Sequence, residues 1–440
     1  MLLRLIVGLS LLLSLMTTAA AVPENGPADA TYEQPQWHPA EALTTAEQKG
    51  DGFTVRDPIT TDGLMPRYVI DAQSGVLHAY GHAGLLARLR EVRALAVATH
   101  TSDLAVVAGA AGRHVKNSIH SVGAAASNPI GVVTGIPHGI VNLFKGTAAQ
   151  VREFGRDAQQ TIDAPKTTDE DGAGTPNTTR AAHAARRYAD HYLGVSADER
   201  AWYARLGVDP YTDNLPLQRA VQHLAHVETA TSLGLRIASL PAIPYAGNLQ
   251  RVMDAIYTED PAVLREQRRA TLLGYGLSAD EIEHFENTAA LSPTRQHRLA
   301  TGAASLTGVT GRDALFRHAA ELQSEDEAEI YVSSVEQLAV LHQQRPLSSL
   351  LAALRLPGGL LADGEGCVVV AAVESIYWTP LVDAAEQLLR SALPTTSHPA
   401  VLYVTGSVSD VASAQLRSRG WGVRPHAFTA PTAAAADTLP

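Results

Sequence analysis

Apolar positions recur with a helical period in one part of the N-terminal region and with a strand period just before it. Over 83–98 they are spaced three and four residues apart, which predicts a helix. The short apolar runs 68–70 and 76–77 flank Gln73-Ser74-Gly75, and this arrangement predicts a β-hairpin with glycine at the turn.

Residues 181–345 carry helical signals throughout. Ser196, Ser278 and Ser324 are each followed three residues later by a glutamate, which is the pattern of a capping box at a helix start. Asp260 directly precedes Pro261, another typical helix start. We therefore expect a helical domain over this range.

The C-terminal part changes period. Residues 367–373 are a continuous apolar, β-branched run, and 400–404 and 422–428 are further predicted strands. Helical patterns at 381–389 and 408–416 lie between them. Strand, helix, strand, helix, strand predicts a parallel sheet over 360–428. The expected fold class is mainly α, with a small C-terminal α/β layer of parallel β-α-β-α-β topology.

Three further segments, 22–64, 163–180 and 429–440, show no regular spacing of apolar residues. Residues 22–64 are rich in Pro, Gly, Thr and acidic residues, and we expect a disordered leader there. Residues 65–162 combine the hairpin with an Ala- and Gly-rich helical region. An acidic linker over 163–180 separates this region from the helical domain, and 429–440 is a low-complexity tail expected to be disordered.

The first 21 residues have the organisation of a secretory signal peptide. Arg4 precedes an apolar run over 5–15 that is too short to span a bilayer, and the small residues 19–21 fit a cleavage site. An uncleaved anchor helix is the alternative. The pattern predicts export, with a periplasmic or secreted mature protein that begins near Val22.

Composition and charge argue against some classes of binding partner and of protein. The chain carries 45 acidic and 34 basic side chains, a formal net charge of −11, which argues against nucleic-acid binding. No later run reaches eighteen apolar residues, so we expect no transmembrane helix in the mature chain. The single cysteine, Cys367, excludes an intrachain disulfide and is expected to be a small core residue.

A glycine repeat lies in the Ala-rich region. Gly131, Gly135 and Gly139 fall on one face of a helix, where the missing Cβ lets another backbone approach closely, although Pro137 interrupts that helix. We expect residues 128–146 to be an interaction segment. The surface that packs against it could be a neighbouring helix of this chain, a protein partner or second copy, or a membrane surface.

Several histidine and acidic residues are spaced like metal ligands, but the predicted elements or motifs around them do not fit a metal site. His78 and His82 fall in different predicted elements, and His223 and His226 do not match the zincin pattern. Residues 209–214 resemble half a calcium loop but lack its central glycine and closing glutamate, so a turn into a helix cap is expected. We predict no metal site and no cofactor.

One site prediction follows from the expected sheet. Ligands of open parallel sheets collect beyond the carboxyl ends of the strands. Glu374 and Ser375 lie at one such end and are the candidate catalytic residues. Thr405, Gly406 and Ser407 follow the next strand and could bind an anion at a helix start. An ordinary polar loop, with Ser407 as the helix cap, explains the same residues.

These patterns leave the function open between classes. The leading hypothesis is an exported, non-enzymatic envelope protein that binds a partner protein or a membrane surface through its helical and Gly-rich parts. The competing hypothesis is a secreted enzyme of the hydrolase class with its site at the C-terminal strand ends, and a carrier of a small ligand is a third.

Overall fold

The computed structural model describes residues 32–110, 194–226, 246–394 and 398–428. Four predicted features lie outside these ranges: the signal peptide, the glycine repeat with Gly131, Gly135 and Gly139, the acidic linker, and the C-terminal tail. Within the described ranges, no helix is both long and apolar enough to cross a membrane.

An antiparallel sheet occupies the N-terminal region. Its strands are β1 (Lys49–Gly50), β2 (Phe53–Val55), β3 (Thr60–Thr61), β4 (Pro66–Ala72) and β5 (Gly75–Tyr80). The order is β1-β2-β4-β3, and β5 also pairs with β4. The predicted hairpin is confirmed as β4–β5, with Ala72 opposite Gly75 and a positive φ of 127° at this glycine.

The expected disordered leader is wrong for the part of 22–64 that the structure describes. Two single-turn helices, α1 (Pro39–Ala42) and α2 (Thr45–Gln48), precede β1–β3, which add to the sheet. Phe53, Val55 and Ile59 are buried in a core with Tyr68 and Ile70. Strands of two or three residues are too short to show a period. Pairing of β2 and β3 with β4, and of β1 with β2, stabilises them without a local signal.

The predicted first helix is confirmed and is longer than expected, α3 (Gly81–Ala110). Leu85, Leu89 and Val92 pack against the N-terminal sheet. One helical turn further along, Ala94 and Ala98 belong to a second core with the helices that follow. The apolar stripe of α3 therefore faces a sheet first and helices afterwards.

The described part of the predicted helical domain consists of helices, and the capping boxes at Ser196, Ser278 and Ser324 are confirmed. Each serine accepts a hydrogen bond from the N–H of the glutamate three residues on, which satisfies one of the unpaired first-turn donors. The helices are α4 (Ala197–Leu206), α5 (Leu215–His226), α6 (Ala246–Thr258), α7 (Pro261–Gly274), α8 (Ala279–Glu286), α9 (Pro293–Ala304), α10 (Asp313–Ala319) and α11 (Glu325–Gln344).

The C-terminal sheet has five strands in the order β12-β10-β8-β7-β6. They are β6 (Leu347–Leu350), β7 (Gly358–Leu361), β8 (Cys367–Ala371), β10 (Val401–Val404) and β12 (Gly422–Arg424), with α12 (Pro380–Ala392) and α13 (Asp410–Ser418) between the later strands. β10 runs parallel to β8 and β12, whereas β7 is antiparallel to both β8 and β6. β9 (Ser375–Ile376) and β11 (Ser407–Val408) form a separate parallel pair.

The predicted fold class is therefore wrong. The C-terminal sheet is mixed rather than a parallel layer, and a second, antiparallel sheet lies in the N-terminal region. The antiparallel strand β7 gives no periodic signal because it begins with two glycines. A Cβ at Gly358 would lie 2.6 Å from the carbonyl oxygen of Val368, so close backbone contact takes the place of side-chain alternation.

One hydrophobic core joins helices α7–α11 to the C-terminal sheet. Phe285, Phe316 and Tyr331 of the helices belong to the same buried cluster as the valines of β8 and Trp378. Leu64 and Met65, from the loop between β3 and β4, also enter it. The strand ends of the C-terminal sheet are thereby held against the N-terminal region.

Candidate functional site

The structure places the two predicted site segments side by side. The chain leaves β8 and reaches Glu374 and β9, and it leaves β10 and passes through 405–407 into β11. β9 and β11 pair in parallel with Ser375 opposite Ser407. The predicted strand-end residues are thus neighbours in the structure.

Backbone contact fills the space between these segments. The N–H of Gly406 donates to the carbonyl oxygen of Val373 at 2.9 Å, and the N–H of Ser407 donates to that of Glu374 at 3.1 Å. A Cβ at Gly406 would overlap the carbonyl group of Glu374. No gap for a ligand remains where these two backbones meet.

Two hydroxyl groups at the strand ends, those of Thr405 and Ser375, are engaged by the chain itself, whereas Ser407 is exposed. Thr405 donates through Oγ1 to the carbonyl oxygen of Val373 at 2.7 Å. Ser375 is 3% exposed, and its Oγ lies 3.4 Å from the carbonyl oxygen of Leu64. The cap of α13 is Ser409, whose Oγ accepts from the N–H of Ala412 at 3.0 Å. Neither Ser375 nor Thr405 presents its hydroxyl as a nucleophile.

Glu374 has a different environment, because its half-buried side chain faces the N-terminal region. Its Oε1 accepts a hydrogen bond from the backbone N–H of His82, in the first turn of α3, where helix donors lack partners within the helix. Gly81 has a φ of +73°, and a Cβ there would lie 2.5 Å from Cε of Met65 and 3.0 Å from Oε1 of Glu374. Only glycine fits this approach.

The imidazole of His82 is held by a second carboxylate. Its Nε2 lies 3.0 Å from Oε1 of Glu47, and the other oxygen of Glu47 accepts from the N–H and hydroxyl of Thr44, both at 2.8 Å. The side chain of His82 is 39% exposed and that of Glu47 is 15% exposed. We call these three residues the Glu47–His82–Glu374 cluster.

The pKa values of the two carboxyl groups in this cluster are shifted in opposite directions. Burial raises the pKa of Glu374 above its ordinary value, and the N–H and charge of His82 offset only part of that effect. Burial also acts to raise the pKa of Glu47, but the hydrogen bonds from Thr44 and His82 outweigh it and the pKa is lowered. Burial and the negative charges of Glu374 and Glu47 raise the pKa of the nearby Tyr68.

The other candidates from the sequence remain apart from this cluster. His78 is exposed on β5, and His223 and His226 are exposed on α5. Where the structure describes the chain, no three His, Cys, Asp or Glu side chains are placed to hold a metal ion. Cys367 is buried, and its burial raises the pKa of the thiol.

The segment 209–214 is a turn that leads into a helix cap, as predicted. Oδ1 of Asp209 accepts from the N–H of Tyr211 at 2.9 Å, and Oδ1 of Asn214 accepts from the N–H of Leu217 at 3.2 Å. The first bond closes a turn, and the second caps the start of α5. The resemblance to a calcium loop is thus explained by local turn chemistry.

A small cavity of about 40 Å³ lies between the C-terminal sheet and helices α12 and α13. Its lining is apolar except for Glu386, which accepts from Nε1 of Trp421 at 2.9 Å and pairs with Arg390. An apolar cavity of about 150 Å³ is needed to bind a molecule the size of benzene. This space therefore does not support the carrier hypothesis.

Comparison with known proteins adds no relative: no protein-family model, curated protein or solved structure matches this chain. The sequence pattern places Glu374 at a strand end but contains no signal that His82 and Glu47 lie beside it. The spacing of Thr44 and Glu47 is itself that of a capping box, which is the one local signal that could have revealed α2. Nothing local connects either residue to Glu374.

Proposed function

We propose that this protein is an exported, non-enzymatic binding protein of the cell envelope, periplasmic or secreted. The observation that carries the proposal is at the strand ends, where Thr405, Gly406, Ser407 and Ser375 all contact the chain itself. Groups that complete the fold in this way are not arranged around a substrate. The acidic net charge favours a partner other than nucleic acid.

The interaction segment in this proposal is 128–146, with Gly131, Gly135 and Gly139 as the contact face. Each glycine in a helix interior costs about 1 kcal/mol relative to alanine, and close packing against another surface would offset that cost. This segment lies outside the described residues, so its role rests on the sequence pattern alone.

The test compares the mature protein with a deletion of 128–146 and with Gly135→Leu. Ala125→Leu, just outside the segment, is the matched control. We expect the intact protein to associate, either with liposomes in flotation or with a partner in cross-linking of cell fractions, and both segment variants to lose that association. Equal association of all four proteins would contradict the proposal.

Export is tested separately by fractionation and N-terminal sequencing. We expect a mature chain that begins near Val22 in the periplasm or medium, because the small-residue pattern ends at Ala21. A product that retains Met1 and stays in the cytoplasm would contradict export without bearing on the interaction segment.

The hydrolase hypothesis keeps one specific observation in its favour. The imidazole of His82 is partly exposed and oriented by Glu47, which is how a general base is held, and Glu374 lies beside it. His82→Asn removes the base. If the protein hydrolyses any of a panel of chromogenic esters, peptides or glycosides, this variant should lose at least about a hundredfold in rate. An unchanged rate would exclude His82 as the base.

A further inference from the structure

An arginine without a counter-charge lies in the loop that joins β6 to β7. Arg355 is 8% exposed, and it has no hydrogen bond or ion pair with any residue that the structure describes. The two other buried arginines of the described ranges are engaged: Arg268 pairs with Glu286, and Arg200 donates to the carbonyl oxygen of Val195 at 2.7 Å. Burial of an unpaired charge is costly, so a buried charge normally has a partner.

Helix α10 contacts this loop through His318. Nε2 of His318 lies 2.7 Å from the carbonyl oxygen of Ala352, and because a carbonyl group only accepts, this nitrogen carries a proton. Burial and the positive charge of Arg355 lower the pKa of His318 more than the hydrogen bond to Ala352 raises it. The charge of Arg355 therefore acts on the surface of α10, where the imidazole supplies no negative partner.

The acidic side chains on and around α10 are engaged by other groups. Arg317 contacts Glu281 at 2.7 Å and also pairs with Asp313. Glu321, which follows α10, lies 3.5 Å from Nε2 of His284. Within the described part of the chain, no carboxylate is therefore within ion-pair distance of the loop arginine.

The loop holds Arg355 in a fixed place near the surface. Leu354 and Leu356, on either side of it, are buried in the core, and the N–H of Leu354 donates to the carbonyl oxygen of Leu351 at 3.0 Å. Residues 352–353 are exposed. Among the described side chains, the polar atoms that are both fully enclosed and without a hydrogen bond do not include the nitrogens of Arg355, so the guanidinium keeps contact with solvent. A charge held in place beforehand loses little freedom on binding.

We propose that Arg355 is the recognition group of a binding site for a small molecule that carries a carboxylate or phosphate group. The planar donors of a guanidinium match two oxygens of either group. The small exposed fraction of Arg355 admits the end of such a molecule and shields the ion pair from water, which strengthens it. This site is independent of the interaction segment 128–146, so the failure of either proposal leaves the other unaffected.

Calorimetric titration of the full mature chain with inorganic phosphate and with acetate tests the proposal, at an ionic strength held constant with sodium chloride. We expect saturable binding of at least one of these anions, and the stronger binder identifies the recognised group. Arg355→Met should weaken that binding at least about tenfold, because the charge-assisted hydrogen bonds are lost. Arg219→Met, at an exposed position on α5, is the matched control and should bind as the wild type. No saturable binding to the wild type, or unchanged affinity in Arg355→Met, would overturn the proposal.

Urea denaturation without added anion separates recognition from folding. We expect the midpoint of Arg355→Met to be no lower than that of the wild type, because the substitution removes an unpaired buried charge. A lower midpoint together with unchanged anion affinity would show that Arg355 serves only the fold, and would overturn the proposal. If Arg355→Met does not fold, Arg355→Gln carries the binding test, because its amide is polar but uncharged. Wild-type affinity in that variant would equally contradict the site.

Discussion

The packing of the strand ends depends on the missing Cβ of Gly406. Gly406 is in close contact with the peptide group of Glu374, and its N–H donates to the carbonyl oxygen of Val373. The two backbones therefore cannot move apart without breaking the β9–β11 pair. Gly81 lies on the other side of Glu374, where a Cβ would meet the ends of the Met65 and Glu374 side chains and where the positive φ of 73° itself favours glycine. Protein interiors are close-packed and yield little to added atoms, so a methyl group at Gly406 must displace a strand.

We predict that Gly406→Ala lowers the free energy of unfolding by at least about 3 kcal/mol, because the new Cβ would overlap backbone that cannot move. Gly274→Ala is the matched control: this glycine is exposed in α7, and a Cβ there meets no atom within 4 Å. Alanine should stabilise that helix slightly, by up to about 1 kcal/mol. Urea denaturation of both variants measures the difference, and equal midpoints would contradict the close contact.

At the scale of elements, charged networks fix how the helices lie against each other. α9 and α11 are connected by Arg295 and Arg298, which contact Glu329 at 3.2 Å and 2.8 Å respectively. Arg298 also pairs with Glu336 at 2.8 Å. Multiple charge-assisted contacts on one carboxylate are stronger than isolated surface pairs, which contribute little.

This network predicts a pH dependence of stability. Burial acts to raise the pKa of Glu329, but the charges of Arg298 and Arg295 outweigh it and lower the pKa to about 2. The stabilisation from Glu329 is therefore complete above its ordinary value of 4.5 and is lost as the pH falls toward 2. Glu329→Gln should cost about 2 kcal/mol at pH 7, allowing for solvent screening, and much less near pH 2.

Thermal or urea unfolding across that pH range checks this prediction. Glu266→Gln serves as the control because its side chain is exposed on α7, and its effect should be small at every pH. A cost for Glu329→Gln that does not change between pH 7 and pH 3 would show that packing rather than charge is lost.

At the scale of the whole molecule, the helical region and the C-terminal sheet share one core. Tyr331 and Val335 of α11 are buried in the same cluster as Val368 and Val370 of β8. The hydroxyl of Ser334 accepts from the backbone N–H of Ala372 at 2.9 Å, in a fully buried position. Removal of the sheet would expose this apolar face and leave a buried polar group without its partner.

We therefore predict that a chain that ends at residue 345 does not fold, although the sequence predicts a helical domain over 181–345. Such a chain should aggregate or bind a hydrophobic dye, with weak near-ultraviolet circular dichroism. A chain that ends at residue 428 is the control, because it retains every described strand. A monomeric 1–345 chain with a cooperative transition would show that the helices have an independent core.

The sequence was sufficient where short-range chemistry sets the structure. Capping boxes at Ser196, Ser278 and Ser324, the turn at 209–214, the β4–β5 hairpin and α3 all depend on residues a few positions apart. Such signals can be recognised in a single sequence, because the hydrogen bonds and contacts involved join residues that are close along the chain.

The sequence alone could not predict which residues far apart in the chain come into contact. The direction of β7, the order of strands in the leader and the meeting of Glu47, His82 and Glu374 depend on residues up to hundreds of positions apart. Short or glycine-rich strands carry no period of their own, and their partners stabilise them only after the chain has folded. The same holds for Gly406, whose missing Cβ has a reason only once its backbone meets that of Glu374.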